Sequence, residues 1–181
     1  FPRLRTLLDG HMPGGETVQM TIGEPRHPFP DWVADTVSQH AGEFQKYPPN
    51  DGTPELLSAI ADWLDRRFRI ELDPETQVMA VNGTREGLYN AAMALCPEQK
   101  RGKRSVVLIP NPFYQVYMVA AMSVGAEPVF VPATKATHYL PDFCSVDPAI
   151  LERTAIVYLC SPSNPQGAIA TPAYWRDLIA L

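Results

Sequence analysis

Three short segments place hydrogen-bond donors, a cation and an aromatic ring just after apolar runs, where a chain leaves a β-strand. The first is Val81-Asn82-Gly83-Thr84-Arg85-Glu86-Gly87, followed by a helical pattern. A chain that turns at Gly83 and enters a helix presents unpaired backbone N–H groups, and the helix dipole favours negative charge in front of them. Thr84 adds a hydroxyl donor and Arg85 a cation, so the segment suits a phosphate. It is neither a Walker loop nor G-x-G-x-x-G. The second segment is Ile109-Pro110-Asn111-Pro112-Phe113-Tyr114. An aromatic such as Tyr114 at the carboxyl edge of an α/β sheet can stack on a flat ring held there. The third is Ser161-Pro162-Ser163-Asn164-Pro165-Gln166-Gly167. Its Asn164 amide can donate to a phenolate-like oxygen, and the proline that follows is open to the cis form.

Each segment alone has an ordinary reading: a capped turn, a core aromatic, or plain turn chemistry. Taken together they supply a seat for a dianion, a contact for a ring face and a partner for a ring oxygen. Pyridoxal phosphate requires all three.

The elements that must position these groups are legible from periodicity. From Pro54 to about Arg69, apolar residues recur at helical spacing through Leu56, Leu57, Ile60, Ala61, Leu64 and Phe68. Thr53-Pro54, Asp147-Pro148 and Thr171-Pro172 each set a capping residue before a proline suited to the first helical position. Strands are expected at Gln77–Val81, Ser105–Ile109, Pro128–Val131 and Ala155–Cys160, with helices over about 85–95 and 114–124 and at the C-terminal end. Short apolar runs bounded by turns predict an α/β fold, a mostly parallel sheet with helices on both faces. Residues 51–181 would form the front part of that domain. Residues 1–50 fit the scheme poorly and are expected to be an arm and a helix of a small domain or a subunit contact.

Composition narrows the function classes. Apolar residues make up 45% and charged residues 19%, which excludes a disordered chain. A net charge of −5 lacks the basic excess of a nucleic-acid binder. The cluster Lys100-Arg101-Gly102-Lys103-Arg104 reads as a solvated turn before a strand. Cys96, Cys144 and Cys160 form no C-x-x-C pair and sit among apolar neighbours where free thiols pack well, which favours a reducing, cytoplasmic compartment. No signal peptide and no membrane-spanning run is visible. His11, His27, His40 and His138 show no metal-ligand spacing. The chain starts at Phe1 and stops at Leu181 within an amphipathic pattern, so a fragment is expected.

At this point a resemblance covers nearly the whole chain. I-G-E-P at Ile22–Pro25, Y-P-x-x-x-G at Tyr47–Gly52 and P-E-L-x-x-A-I at Pro54–Ile60 occur in that order. N-G-T-R-E-G-L, N-P-F-Y-Q-V-Y and S-P-S-N-P-x-G follow. The series resembles the class I/II, fold-type I pyridoxal-phosphate aminotransferases. I-G-E-P-R-H, W-L-D-R-R-F at Trp63–Phe68 and C-S-P-S-N-P-Q-G look most like the N-succinyldiaminopimelate branch, which serves bacterial lysine and diaminopimelate biosynthesis. The resemblance implies that Gly83, Thr84 and Arg85 hold the cofactor phosphate, that Tyr114 stacks on the pyridine ring and that Asn164 bonds its phenolic oxygen. It also implies a homodimer in which Tyr47 reaches the partner's phosphate, with Gly23 beside the substrate carboxylate and His27 close by in sequence. Asn111-Pro112 and Asn164-Pro165 become candidates for cis peptides.

The family also needs a Schiff-base lysine, an aspartate at the pyridine nitrogen, a tyrosine near the phenolic oxygen and an arginine for the substrate carboxylate. All of them follow the S-x-N-P-x-G loop at a distance that lies beyond Leu181. Lys46, Lys100, Lys103 and Lys135 have other settings. No catalytic residue is therefore expected within these 181 residues, which alone should not transaminate. Two other readings share the motifs: a carbon–sulfur lyase of the same fold, and a non-catalytic ligand-sensing domain of a transcription regulator.

Overall fold

Val106-Val107-Leu108-Ile109 has no polar position. Such a run is stable as a strand only if both faces are covered, because successive side chains point to opposite sides. In the computed structural model, which describes residues 2–18, 23–25 and 27–181, all four of these residues are completely buried.

The chain divides into two compact units, Phe1–Tyr47 and Pro48–Leu181. The first contains helices α1 (Pro2–Leu8) and α2 (Trp32–Gln39) and a 3₁₀ turn at Ala41–Gln45. His40 Nδ1 lies 2.8 Å from Glu43 Oε1 across that turn. Ile22 of the I-G-E-P motif and Arg26 after it lie outside the described residues.

The second unit opens with α3 (Pro54–Phe68) and α4 (Thr84–Leu95). A hairpin of β1 (Gln99–Lys100) and β2 (Lys103–Arg104) follows, then β3 (Val106–Asn111), α5 (Gln115–Ser123) and β4 (Glu127–Pro132). The rest is α6 (Pro148–Leu151), β5 (Thr154–Val157) and α7 (Pro172–Ala180). The three expected threonine and aspartate caps are all in place: Thr53 accepts from Leu56 N–H, Asp147 from Ala149 N–H and Thr171 from Tyr174 N–H.

The main sheet is parallel, in the order β4-β3-β5. Val107 and Ile109 pack on one face with Tyr117 and Ala121 of α5, Ala126 and Tyr158. Val106 and Leu108 pack on the other with Val131 and Phe143, against Ile150 and Leu151 of α6 and Tyr174 and Leu178 of α7. Helices thus cover both faces, as expected. After β4 the chain crosses to the far side of β3 to form β5. The point between β3 and β5 where the winding reverses leaves a crevice outside the carboxyl ends of the strands.

Two expectations need correction and one gains detail. Gln77–Val81 is not a strand: Ala80 N–H bonds Asp51 O at 2.9 Å, and among the described residues no strand lies alongside to form a ladder. A β-prone sequence does not supply the neighbour that a strand requires. The basic cluster is a solvated turn before β3, as expected, with added structure. It forms the β1–β2 hairpin, with Arg101 and Gly102 both at positive φ, as a tight hairpin turn requires. Lys100 Nζ donates to Thr154 O, and Arg104 donates to Gly125 O at 2.7 Å and Ala126 O at 3.0 Å. Finally, Cys144 is exposed in a 3₁₀ turn rather than packed, because its neighbour Phe143 takes the core position.

Candidate functional site

Delivery of the Gly83 turn begins well before it. Gly52 has φ +106°, and a Cβ there would stand 3.0 Å from Ala80 Cβ and 3.1 Å from Leu57 Cδ2. Only glycine lets the loop before α3 approach Ala80 this closely. With the bond from Ala80 N–H to Asp51 O, that approach fixes the extended segment leading into Gly83.

Gly83 is the N-cap of α4, at φ 99° and ψ 157°, a region essentially reserved for glycine. Nothing lies within 4 Å of the position its Cβ would occupy, so glycine is required there for backbone reasons and not for space. The first bond of the helix runs from Gly87 N–H to Gly83 O at 3.1 Å. The N–H groups of Thr84, Arg85 and Glu86 therefore have no acceptor within the helix.

The loop after β3 delivers Tyr114, the N-cap residue of α5, and the loop after β5 delivers Asn164. The Asn111-Pro112, Ser161-Pro162 and Asn164-Pro165 peptides are cis. Two of these were expected from the motifs, and Ser161-Pro162 was not. Two hydrogen bonds hold the last loop in shape: Ser163 Oγ accepts from Ala168 N–H at 2.9 Å and Ser161 Oγ from Ala170 N–H at 3.0 Å.

The three tips face one open cleft of about 770 Å³, lined by Thr84, Gly87, Leu88, Tyr114, Tyr117 and Asn164 among others. That is the size of a small-molecule site. Arg85 Nε donates to the Tyr114 hydroxyl at 2.9 Å, and this bond holds the guanidinium pKa above its ordinary value. Tyr117 stands edge-on to Tyr114, with centroids 5.8 Å apart and planes at 87°. It stacks on Tyr158 at 4.4 Å and 12°. Burial pushes the phenol pKa of both Tyr117 and Tyr158 upward, so both stay neutral.

Tyr117, Tyr158, Cys160 and Ser161 were given no role at the site from the sequence. The signal for Tyr117 was its place three residues after Tyr114, on the same helical face. Tyr158 had none, because a tyrosine inside an apolar run reads as core. Of the expected residues, Thr84, Tyr114 and Asn164 line the cleft in the second unit, with Arg85 bonded to Tyr114 and Gly83 capping the helix beside them. Tyr47 and Gly23 belong to the first unit, where both are exposed, as is His27. Lys100, bonded to Thr154 at the start of β5, lies at the amino end of the sheet, away from the cleft. Among the described residues no group of His, Cys, Asp and Glu could hold a metal ion, and no helix is long and apolar enough to cross a membrane.

The sequence profile of the aminotransferase class I and II family matches residues 16–181. The chain belongs to this family. A curated relative, the LL-diaminopimelate aminotransferase of Dehalococcoides mccartyi, is 31% identical over 166 residues, covering 91% of this chain and 42% of the relative. An aminotransferase of Neisseria meningitidis of known structure is 34% identical with a TM-score of 0.88, covering 99% of this chain and 46% of that one. The aminotransferase AspB of Helicobacter pylori gives 30% identity and a TM-score of 0.87, covering 98% and 46%. The chain thus spans less than half the length of these relatives. The fold is that of the fold-type I aminotransferases, whose cofactor is pyridoxal phosphate. The residues present fit that group: free N–H donors behind an unobstructed glycine turn, an aromatic face and a carboxamide share one cleft.

Proposed function

We propose that these residues form the cofactor-holding portion of a pyridoxal-phosphate aminotransferase that moves an amino group from glutamate to a keto acid. The observation that carries this reading is the convergence of Thr84, Tyr114 and Asn164 on one cleft at the winding reversal of the sheet. When bound, pyridoxal phosphate supplies an electron sink and a carrier for the amino group. The N–H groups of Thr84, Arg85 and Glu86, with the Thr84 hydroxyl, donate hydrogen bonds to the phosphate. Gly83 keeps the approach open. Tyr114 lies against the pyridine face, and Asn164 donates to the phenolic oxygen. Tyr47 reaches the phosphate of a partner subunit in a homodimer, and Gly23 offers its N–H to the substrate carboxylate. The cofactor's lysine, the aspartate at its ring nitrogen and the arginine for the substrate are supplied by sequence outside these residues. The setting is cytoplasmic.

For the acceptor, the motif combination favours N-succinyl-2-amino-6-ketopimelate. The name of the Dehalococcoides relative also falls within diaminopimelate chemistry. The test is amino transfer by a purified chain of the relatives' length that carries these residues. Glutamate-dependent amination of the N-succinyl keto acid is expected, along with inactivity of residues 1–181 alone. Transfer from LL-diaminopimelate to 2-oxoglutarate without use of the N-succinyl compound would move the substrate assignment. Pyruvate release from a thioether amino acid would replace the transferase reading with a lyase. Cofactor binding with no turnover of any of these would favour the ligand-sensing reading.

A further inference from the structure

An aromatic ring at the lip of an open cleft is a poor platform unless something fixes its direction. Tyr114 is half-buried at the N-terminal edge of α5, where its side chain has several staggered χ1 wells to choose from. Two contacts restrict it, and they act on different torsions. The bond from Arg85 Nε meets the hydroxyl at 2.9 Å, on the long axis of the ring. A tether on that axis cannot stop the ring from turning about it, but it stops the whole ring from swinging about χ1. The edge-on packing of Tyr117, at 87°, restrains the turning that the tether leaves free.

The restraint also closes on itself. Tyr117 stacks on Tyr158, and the Tyr158 hydroxyl donates to Leu88 O at 2.7 Å. Leu88 follows Arg85 by three residues and lies on the same face of α4. The path Arg85–Tyr114–Tyr117–Tyr158–Leu88 therefore starts and ends on one helix. It ties the tip after β3 and the tip after β5 to the helix whose first turn offers the free N–H groups.

We infer that the Arg85 guanidinium is a positioning residue: it acts through the Tyr114 hydroxyl to hold that ring ready for a flat ligand, and only its backbone N–H faces the phosphate. This rests on reading the cleft as the pyridoxal-phosphate site. An arginine whose Nε already serves a tyrosine keeps a fixed direction, and prior ordering of a contact group raises affinity by lowering the entropy lost on binding.

The experiment is a double-variant cycle on the full-length protein stripped of cofactor, titrated with pyridoxal phosphate, with pyridoxal and with inorganic phosphate. Arg85→Met and Tyr114→Phe are used singly and together, since Phe keeps the stacking face and removes only the tethered hydroxyl. Each single change is expected to weaken both pyridoxal phosphate and pyridoxal by about three- to tenfold, the range for losing one exposed hydrogen bond. The double variant should be no weaker than Tyr114→Phe alone. Inorganic phosphate binding should be unchanged by Arg85→Met, and the circular dichroism of the bound cofactor should fall equally in all three variants. Losses that multiply in the double variant would overturn the inference. So would a loss confined to the phosphorylated ligands, which would make the guanidinium a phosphate ligand. If the unsubstituted protein bound no pyridoxal phosphate, the site reading itself would fail, and this inference with it.

Discussion

The rings of Tyr117 and Tyr158 lie 4.4 Å apart and within 12° of parallel, so the helix after β3 and the tip of β5 meet face to face beside the cleft. Both residues are more than nine-tenths buried. The stack is therefore part of the core and part of the site at once, and stability and ligand geometry share the same atoms.

Removing only the Tyr158 hydroxyl leaves the stack and breaks the bond to Leu88 O. Tyr158→Phe should lower unfolding stability by about 1 kcal/mol, the usual net worth of such a bond. Tyr158→Ala should cost about 3–5 kcal/mol, because it also leaves a cavity under Tyr117. Urea denaturation of the two variants side by side separates the contributions, and equal losses would show that the ring stack adds nothing.

Gly83 tests the backbone directly. A Cβ there meets no atom within 4 Å, so any cost of Gly83→Ala comes from φ 99° alone. The expected loss is about 1–3 kcal/mol of stability. If the turn relaxes to relieve the strain, the three N–H groups move, and pyridoxal-phosphate affinity should fall more than pyridoxal affinity. Equal affinity for the phosphorylated ligand in wild type and variant would remove Gly83 from the site.

Asn164 should behave in the opposite way. It is exposed in the cleft, so Asn164→Ala should change stability by no more than about 0.5 kcal/mol. Cofactor affinity should nevertheless drop by about three- to tenfold through loss of one donor. Isothermal titration of the variant with pyridoxal phosphate, together with its melting curve, checks both halves.

The alkaline limit of the fold is set partly by Tyr174. Burial pushes its phenol up from 10.0 to about 12, and its hydroxyl donates to Pro141 O at 2.6 Å. In the unfolded chain the proton leaves near pH 10, while the folded chain keeps it until about 12. The stability tied to this group is complete below pH 10 and is lost as pH rises from 10 to 12. Tyr174→Phe should flatten that fall while lowering neutral-pH stability by about 1 kcal/mol. Unfolding curves at pH 8, 10 and 11.5 would show it, and an unaltered alkaline slope would contradict the assignment.

Much of the site was legible because its parts obey local rules. The glycine turn, the three Thr-Pro and Asp-Pro caps and the buried run at 106–109 each follow from a few adjacent residues. Gln77–Val81 misled for the complementary reason: a short apolar run with Val78 and Val81 describes a strand's preference, but whether a partner lies alongside is a long-range fact. The Arg85–Tyr114 bond spans 29 residues and depends on where two helices start relative to the sheet, so no local pattern announces it. The Lys100–Thr154 and Arg104–Gly125 bonds, which tie that solvated turn to the sheet, escaped for the same reason.

Where the cofactor sits is decided by a crystal structure of the full-length protein grown with pyridoxal phosphate. Phosphate oxygens are expected on the N–H groups of Thr84, Arg85 and Glu86, the pyridine ring against Tyr114 and its phenolic oxygen at the Asn164 amide. Cofactor density elsewhere, or a phosphate turned away from the start of α4, would contradict that placement.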